Sequence, residues 1–331
     1  MTAPDTIEVT TIDDPVPRPD DVIIEVAAVG LCGTDLQILA GEHGVLPVVP
    51  GHEVTGTVVA TGGAVEDLRI GDRVAVDPSL PCRACRFCRR GRENLCSTLG
   101  ALGVTTAGGA AEYLRADADR CIVLPDHVDL HGATLIEPLS CVLHGYDVLG
   151  PTLGASVLIY GAGTMGLLML EMAKHTGPRS VHVVDPNGER QRRAVSFGCT
   201  AAGPGVDDFD AADGWDVVVD ASGNSDAIQD GIGRVARGGT FLQFGVATPS
   251  ARVSISPYEI YHHEITIRGS MAVLNSFERA ADLFATGVID WRAFVTSQRP
   301  LSEYAEALDS FRRGAGVKTQ VLPGGLQKAP S

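Results

Sequence analysis

The sequence predicts an α/β protein with two parts: a mainly β unit, and a unit built on a doubly wound parallel sheet. Two observations lead to this prediction. Residues up to about 145 form short alternating strands between Gly, Pro and Asp turns, which is typical of an all-β unit. After Gly150, apolar strands alternate with helices, which is typical of a parallel sheet covered on both faces.

Individual elements can be predicted in both parts. The clearest strands are Asp21–Val29, Glu53–Ala60, Ser156–Tyr160, Ser180–Val184, Asp216–Asp220 and Thr240–Phe244. The predicted helices are Thr164–His175, Phe277–Thr286 and Ser302–Arg313. The alternation ends near Gly269, and residues 324–331 are expected to be a frayed tail.

Length and composition restrict the class of protein. A chain of 331 residues with 44% hydrophobic content predicts about two domains. The net charge of −15 argues against nucleic acid and anionic membranes as partners. No apolar run reaches the roughly 20 residues that span a bilayer, and the N-terminus lacks a signal peptide. We therefore expect a cytoplasmic protein whose cysteines are thiols or metal ligands.

A glycine motif predicts a dinucleotide site at the start of the second part. Residues 161–166 read GAGTMG and lie directly between a predicted strand and a helix, and this context makes a weak motif specific. Gly161 permits a tight turn, Gly163 lets the backbone approach a pyrophosphate, and Gly166 lets the helix pack closely. The helix N-terminus then attracts the phosphates.

Charged residues near this motif bear on the choice between NAD and NADP. Asp185 follows the second strand, 19 residues after Gly166, where an acid accepts ribose hydroxyls and repels a 2′-phosphate. This favours NAD, although Arg190 and Arg193 leave NADP open, because an arginine can bind that phosphate. The candidate cofactor-binding residues are Gly161, Gly163, Met165, Gly166, Asp185, Arg190 and Val246.

A compact group of cysteines predicts a structural zinc site. Its members are Cys82, Cys85, Cys88 and Cys96. Four thiolates this close can satisfy tetrahedral zinc, and neighbouring arginines offset their charge. An iron–sulfur cluster is the metal alternative, but the usual Cys-Pro pair is absent. A nucleic-acid zinc ribbon is disfavoured by the acidic chain. The remaining cysteines, Cys121, Cys141 and Cys199, are expected to be buried apolar residues.

A dispersed set of potential metal ligands consists of Cys32, His52, Glu53 and Glu137. Cys32 follows the first predicted strand, and the His52-Glu53 pair opens the second. Taken singly, each could be an ordinary buried thiol, core histidine or solvated acid. Together they are a mixed ligand set that could leave a coordination position open, which is typical of catalytic zinc.

These motifs, taken in order, resemble the zinc-containing medium-chain alcohol dehydrogenases. Residues 51–65 read GHEVTGTVVATGGAV, which is similar to the zinc signature of that family. The CGTD run at 32–35, the GDRV run at 71–74, the cysteine group and the glycine motif follow the family order. The resemblance covers about Pro15 to Pro323. Glu137 in the third ligand region is similar to the polyol branch, which includes sorbitol and arabinitol dehydrogenases.

The resemblance implies a domain plan and a pair of zinc ions. It implies a GroES-like catalytic domain at 1–145 and 272–331, split by a Rossmann coenzyme domain at 146–271. Cys32, His52 and Glu53 would bind the catalytic zinc, and Glu137 would bind it directly or through water. The cysteine group would hold the second, structural zinc. The late N-terminus leaves the first strand of the catalytic domain in doubt.

The resemblance also implies a reaction. Zinc would bind a substrate hydroxyl, and the resulting alkoxide would deliver hydride to NAD. Thr34 would hydrogen-bond the substrate oxygen and pass on its proton. Many relatives have a histidine three residues later that relays the proton, whereas this chain has Gln37. Ala110 stands where relatives often have Phe, so a larger substrate pocket is expected.

The expected function is therefore that of a zinc- and NAD-dependent dehydrogenase acting on a secondary alcohol of a polyol or sugar-like substrate. A dehydrogenase of an amino-alcohol, such as an aminocyclitol or threonine, is the alternative within the fold. A non-catalytic NAD-binding regulator would be expected to lose the catalytic ligands, and a zinc-free quinone reductase would lack both zinc sets. The expected partners are a small-molecule alcohol and further copies of the chain, as a homodimer or homotetramer.

Overall fold

The computed structural model describes residues 1–325 and divides into two compact units. One unit contains Met1–Ser140 together with the chain from Val273 onward, and the other is Cys141–Ala272. Compactness does not define a functional domain, so the limits 1–145, 146–271 and 272–331 stay a prediction. Most of the expected frayed tail, residues 326–331, lies outside the described residues.

The elements follow in chain order. Up to residue 149 they are β1 (Asp21–Gly30), α1 (Gly33–Leu39), β2 (Glu53–Thr61), β3 (Arg73–Val76), β4 (Ser79–Leu80), β5 (Gly100–Ala101), β6 (Tyr113–Asp117), β7 (Cys121–Val123), α2 (Leu130–Ala133) and α3 (Ile136–Leu149). The alternating region contains β8 (Ser156–Tyr160), α4 (Thr164–His175), β9 (Ser180–Val184), α5 (Gly188–Ser196), β10 (Ala201–Gly203), β11 (Trp215–Asp220), α6 (Ser225–Gly233), β12 (Val235–Gln243), α7 (Pro257–His263) and β13 (Thr266–Gly269). The last elements are α8 (Phe277–Ala285), α9 (Trp291–Phe294), β14 (Val295–Pro300), α10 (Tyr304–Arg312) and β15 (Lys318–Leu322).

The first unit is built around β1. In the part of the chain that the structure describes, its main sheet has seven strands in the order β14-β15-β1-β2-β3-β7, with β6 also paired to β1. β1 runs antiparallel to β2, β6 and β15. Because β15 comes from the end of the chain, the C-terminal segment completes the sheet that the N-terminal segment begins.

The second unit is a parallel sheet of six strands within residues 1–325. The order is β10-β9-β8-β11-β12-β13, the doubly wound order that reverses between β8 and β11. Every residue of β8 is buried, since both faces of such a sheet are covered. Ligands of these folds bind at the carboxyl ends of the strands, beside the reversal.

Most predicted elements are confirmed, with two shifts that have physical causes. β12 begins at Val235, before the predicted Thr240. The predicted start was too late because Arg237 and Gly238 are exposed and carry no apolar signal. α10 begins at Tyr304, after a single 3₁₀ turn at Leu301–Glu303. Between Met1 and Gly325, no helix combines the length and the apolarity that crossing a membrane would require.

Candidate functional site

A cluster of three potential metal ligands forms where β1 and β2 meet. Cys32 caps α1 just after β1, and its backbone N–H donates to the Asp35 side chain at 2.8 Å. Antiparallel pairing places Gly30 of β1 opposite Glu53 of β2, with His52 immediately before it. One ligand atom from each of Cys32, His52 and Glu53 can be chosen so that all three lie within 4.8 Å of one another. A thiolate, an imidazole and a carboxylate at this spacing fit a zinc ion with an open position.

The carboxylate of Glu53 is held by a buried ion pair that the sequence did not reveal. Lys318, at the start of β15, places Nζ 2.6 and 2.7 Å from the two carboxylate oxygens and donates to the Leu31 carbonyl at 3.0 Å. Burial lowers the pKa of Lys318, but Glu53 and Cys32 outweigh it and raise the pKa. Carboxylate oxygens carry further lone pairs, so Glu53 can accept Lys318 and still offer a ligand atom to a metal.

Glycine is required opposite that carboxylate. A Cβ atom on Gly30 would lie 1.9 Å from Glu53 Oε2, so no side chain fits there while Glu53 keeps its place. Gly33, three residues later, has open space around the corresponding position. The absence of a side chain at Gly30, the last residue of β1, therefore makes room for the Glu53 carboxylate.

The electrostatics around His52 favour a cation. Its Nδ1 faces Asp35 Oδ1 at 4.0 Å, and Asp35 is fully buried. Burial alone would lower the pKa of His52, but Cys32, Asp35 and Glu137 together raise it well above its usual value. Burial raises the pKa of Asp35. Several acidic groups therefore converge on one imidazole, and a divalent metal bound there would neutralise their negative charge.

The other predicted residues of this site lie around the cluster. Glu137 is the second residue of α3, and its charge acts on both His52 and Lys318, but it is not part of the group with mutually close ligand atoms among the described residues. Thr34 Oγ1 lies 3.8 Å from Cys32 Sγ. Gln37 follows Thr34 by one turn on the same face of α1 and is half-buried.

The four cysteines of the compact group also converge. The sulfur atoms of these four residues all lie within 4.8 Å of one another: Cys82, Cys85, Cys88 and Cys96. Their loop runs between β4 and β5, which pair with each other and close its base. Backbone N–H groups point at the sulfurs, from Cys82 to Cys96 and from Cys85 to Cys82, each at 3.3 Å. Backbone donation lowers the pKa of Cys85 to about 5, which favours a thiolate at that residue, whereas desolvation and the neighbouring cysteines raise the pKa of Cys88 to about 12.

One half-buried arginine connects this loop to the sheet. Arg120 bonds Asp77, just after β3, and Glu93 within the loop, each at 3.2 Å. Of the cysteines outside both groups, Cys121 and Cys199 are buried as predicted. Cys141 is only half-buried, so the prediction for that residue was too strong.

The glycine turn of the second unit has the geometry that the motif predicts. Gly161 has a φ of +99° directly after β8. A Cβ on Gly166 would lie 1.7 Å from the Gly161 carbonyl oxygen, so α4 packs against the turn as only glycine allows. Gly163 caps α4 with open space beside it, where a phosphate could approach the backbone. Met165 is half-buried in the first turn of α4.

Acidic residues lie at the strand ends beside the glycine turn of the second unit. Asp185 is buried after β9, accepts the Ala162 N–H at 2.9 Å, and lies 3.7 Å from Arg190. Asp220, at the end of β11, accepts bonds from the Ser222 and Gly223 backbone and was not singled out from the sequence. Its only sequence signal was its place at the end of a predicted strand.

Comparison with known proteins agrees with this fold. Residues 18–126 match the alcohol dehydrogenase GroES-like domain, and residues 164–286 match the zinc-binding dehydrogenase family. The chain is 38% identical to D-arabinitol dehydrogenase 1 of Uromyces fabae, over 94% of this chain and 92% of that one. It is 37% identical to D-altritol 5-dehydrogenase of Agrobacterium fabrum, over 86% and 87%. A zinc-binding dehydrogenase of Sinorhizobium meliloti, solved with NADP, superimposes with a TM-score of 0.92 at 34% identity, covering 97% of each chain.

The chain belongs to the zinc-binding alcohol dehydrogenase family, with its GroES-like and Rossmann-type domains. It is an oxidoreductase that acts on CH–OH groups and uses zinc and a nicotinamide cofactor.

The requirement for glycine at position 30 gives a first prediction. We expect Gly30→Ala to displace the Glu53 carboxylate, to destabilise the fold by roughly 1–3 kcal/mol through overpacking, and to weaken metal binding at the cluster. Thermal unfolding and bound zinc measure the two effects. Gly33→Ala is the matched control, because its Cβ would meet open space, and it should leave stability and bound zinc unchanged. Equal behaviour of the two variants would contradict the close approach of Glu53 to β1.

Proposed function

We propose that the chain is an NAD-dependent polyol dehydrogenase with a catalytic zinc on Cys32, His52 and Glu53 and a structural zinc on the four-cysteine group. The observation that carries the proposal is the convergence of three chemically different ligands, one of them fixed by Lys318. A site with three protein ligands keeps a position for substrate, whereas four sulfurs close their own site. Glu137, whose charge reaches His52, would bind the same zinc directly or through water.

The residues of the cluster would divide the work of the reaction. When bound, zinc supplies a Lewis acid that lowers the pKa of a substrate hydroxyl. Thr34, beside Cys32, would accept a hydrogen bond from that hydroxyl and, as it takes up this proton, would pass its own hydroxyl proton on to water. Gln37, one turn further along α1, cannot titrate, so it can orient the proton's path but cannot accept the proton.

Polyols are the proposed substrate class. The two relatives reported above are dehydrogenases of D-arabinitol and D-altritol, and they align along most of this chain. Both substrates carry several adjacent secondary hydroxyls. These relatives do not favour an amino-alcohol substrate.

NAD is the proposed coenzyme. Asp185 places a buried carboxylate at the end of β9, where it would accept ribose hydroxyls and repel a 2′-phosphate. Arg190 is 3.7 Å from that carboxylate, so part of its charge is already matched. The Sinorhizobium meliloti structure contains NADP, so the proposed preference of this chain differs from the coenzyme found there. Gly161, Gly163, Met165, Gly166 and Val246 would line the same coenzyme.

Self-association and location complete the proposal. In the described sheet, β13 is an edge strand with Ile267 42% exposed, and the neighbouring α7 exposes Tyr258 and Tyr261. An open strand edge with apolar side chains favours pairing with a second copy, as a homodimer or homotetramer, and light scattering would measure the mass. None of the eight cysteines forms a disulfide within the described residues, which supports a cytoplasmic location.

The substrate proposal has a direct assay. We expect NADH to form when the protein is given NAD with pentitols or hexitols, at rates well above those with threonine or aminocyclitols. Cys32→Ala should abolish the activity, whereas Cys121→Ala, which removes a buried thiol outside both clusters, should retain it. Preference for an amino-alcohol, or full activity of Cys32→Ala, would overturn the proposal.

The coenzyme proposal is tested by removing one charge. Asp185→Asn keeps an oxygen for the Ala162 N–H but removes the repulsion of a 2′-phosphate. We expect the ratio of kcat/KM with NADP to kcat/KM with NAD to rise about tenfold or more. A tenfold change corresponds to about 1.4 kcal/mol in the difference between the activation free energies with the two coenzymes. An unchanged ratio would show that Asp185 does not set the choice.

The role of position 37 is tested by restoring a titrating group. Gln37→His adds an imidazole with an ordinary pKa of about 6.5. Neutral imidazole accepts protons, so alcohol oxidation by the variant should gain a rise in kcat as pH increases through about 6.5. The wild-type profile should lack this step. Gln298→His, which changes another half-buried glutamine of the first unit, is the control. Identical profiles for wild type and Gln37→His would remove position 37 from the proton path.

A further inference from the structure

Three buried polar atoms beside the proposed zinc cluster lack a hydrogen-bond partner within residues 1–325. They are Asp35 Oδ1, His52 Nδ1 and the Tyr304 hydroxyl. Asp35 and His52 are separated by 4.0 Å. Tyr304 is only 2% exposed, and it stands at the start of α10, the helix that packs against α1, where Asp35 lies.

The charge of Asp35 acts on the Tyr304 hydroxyl. Burial raises the pKa of Tyr304 well above its usual value, and the charge of Asp35 raises it further. Asp35 Oδ2 is already occupied by the Cys32 N–H, so Oδ1 is the oxygen left for other donors. One carboxylate oxygen has lone pairs for two donors. His52 Nδ1 lies 4.0 Å from Oδ1, and the Tyr304 hydroxyl is the other buried polar atom of this group without a partner among the described residues.

The hydroxyl would be unfavourable if it had no role. Tyr304 packs in the apolar core of the first unit, among residues such as Leu308 and Ile38. A phenylalanine would fill nearly the same volume without burying an unpaired polar group, and burying such a group costs free energy. The position therefore contains a buried polar atom that a hydrogen-bond connection to the neighbouring carboxylate and imidazole would make favourable.

We propose that Tyr304 is a positioning residue for the metal centre: its hydroxyl joins Asp35 Oδ1 and His52 Nδ1 through one shared water in a buried hydrogen-bond network that fixes the ring of His52. Residues behind a metal-binding histidine set its tautomer and orientation in this way. A donor on Nδ1 leaves the opposite nitrogen to face Cys32 and the metal. The inference rests on the proposed function, since it assumes a metal on Cys32, His52 and Glu53.

The test compares Tyr304→Phe with Tyr146→Phe. Tyr146 is a half-buried tyrosine whose hydroxyl donates to the Met169 carbonyl in the second unit. Cobalt(II) is the probe, because its visible spectrum reports ligand geometry and its affinity can be measured by competition with a chelator. We expect Tyr304→Phe to weaken cobalt binding at the mixed-ligand centre about ten- to a hundredfold and to shift its absorption bands. Tyr146→Phe should change neither, and cobalt in the four-cysteine group should be unaffected in both variants.

A second arm shows whether Tyr304 acts through Asp35. In an Asp35→Asn background, the further change Tyr304→Phe should cost much less cobalt affinity than it does alone, because the shared partner is already altered. Unchanged affinity and spectrum in Tyr304→Phe, with equal or higher thermal stability, would overturn the inference, because deleting an idle buried hydroxyl is favourable. Wild-type protein that binds cobalt only in the cysteine group would instead overturn the proposed catalytic site itself.

Discussion

The buried ion pair between Glu53 and Lys318 is the interaction on which the first unit depends. It joins the start of β2 to the start of β15 across β1, with both partners almost fully buried. Removing two charges from water is costly, and only close geometry with further hydrogen bonds compensates for it. Here both carboxylate oxygens contact Nζ, and the Leu31 carbonyl accepts a third bond. Losing one partner would leave an uncompensated buried charge, which costs about 3–5 kcal/mol.

The same pair connects folding to chemistry. Because Lys318 arrives with the C-terminal strand, the Glu53 carboxylate is in place only when the ends of the chain have met in one sheet. Cys32 and His52 need only the local β1–β2 pairing. The four-cysteine loop differs in kind: its ligands lie within fifteen residues, and backbone N–H groups of the same loop support its sulfurs. A local site suits a scaffold metal, and a site assembled from distant segments suits a reaction that needs the finished fold.

The features that could be predicted from the sequence are those that depend on local residue patterns and on side-chain chemistry. Strand and helix periodicity located most elements, and the ligand types of Cys32, His52 and Glu53 pointed to their convergence, which the structure shows. The spacing of the four cysteines did the same for their group. Contacts over long sequence separations could not be read in this way. Lys318 lies 265 residues from Glu53, and nothing in its neighbourhood marks it as buried. Tyr304 looked like an ordinary core residue of an amphipathic helix, since a hydroxyl leaves no trace in hydrophobic periodicity.

The most direct test of this account is an anomalous difference map from crystals of the protein, recorded on both sides of the zinc absorption edge. The account predicts two peaks in each chain. One peak would be coordinated by Cys32, His52 and Glu53, with Lys318 still paired to the Glu53 carboxylate. The other peak would lie among the four cysteines. A single peak in the cysteine group, with Glu53 bound only to Lys318 in zinc-replete protein, would contradict it.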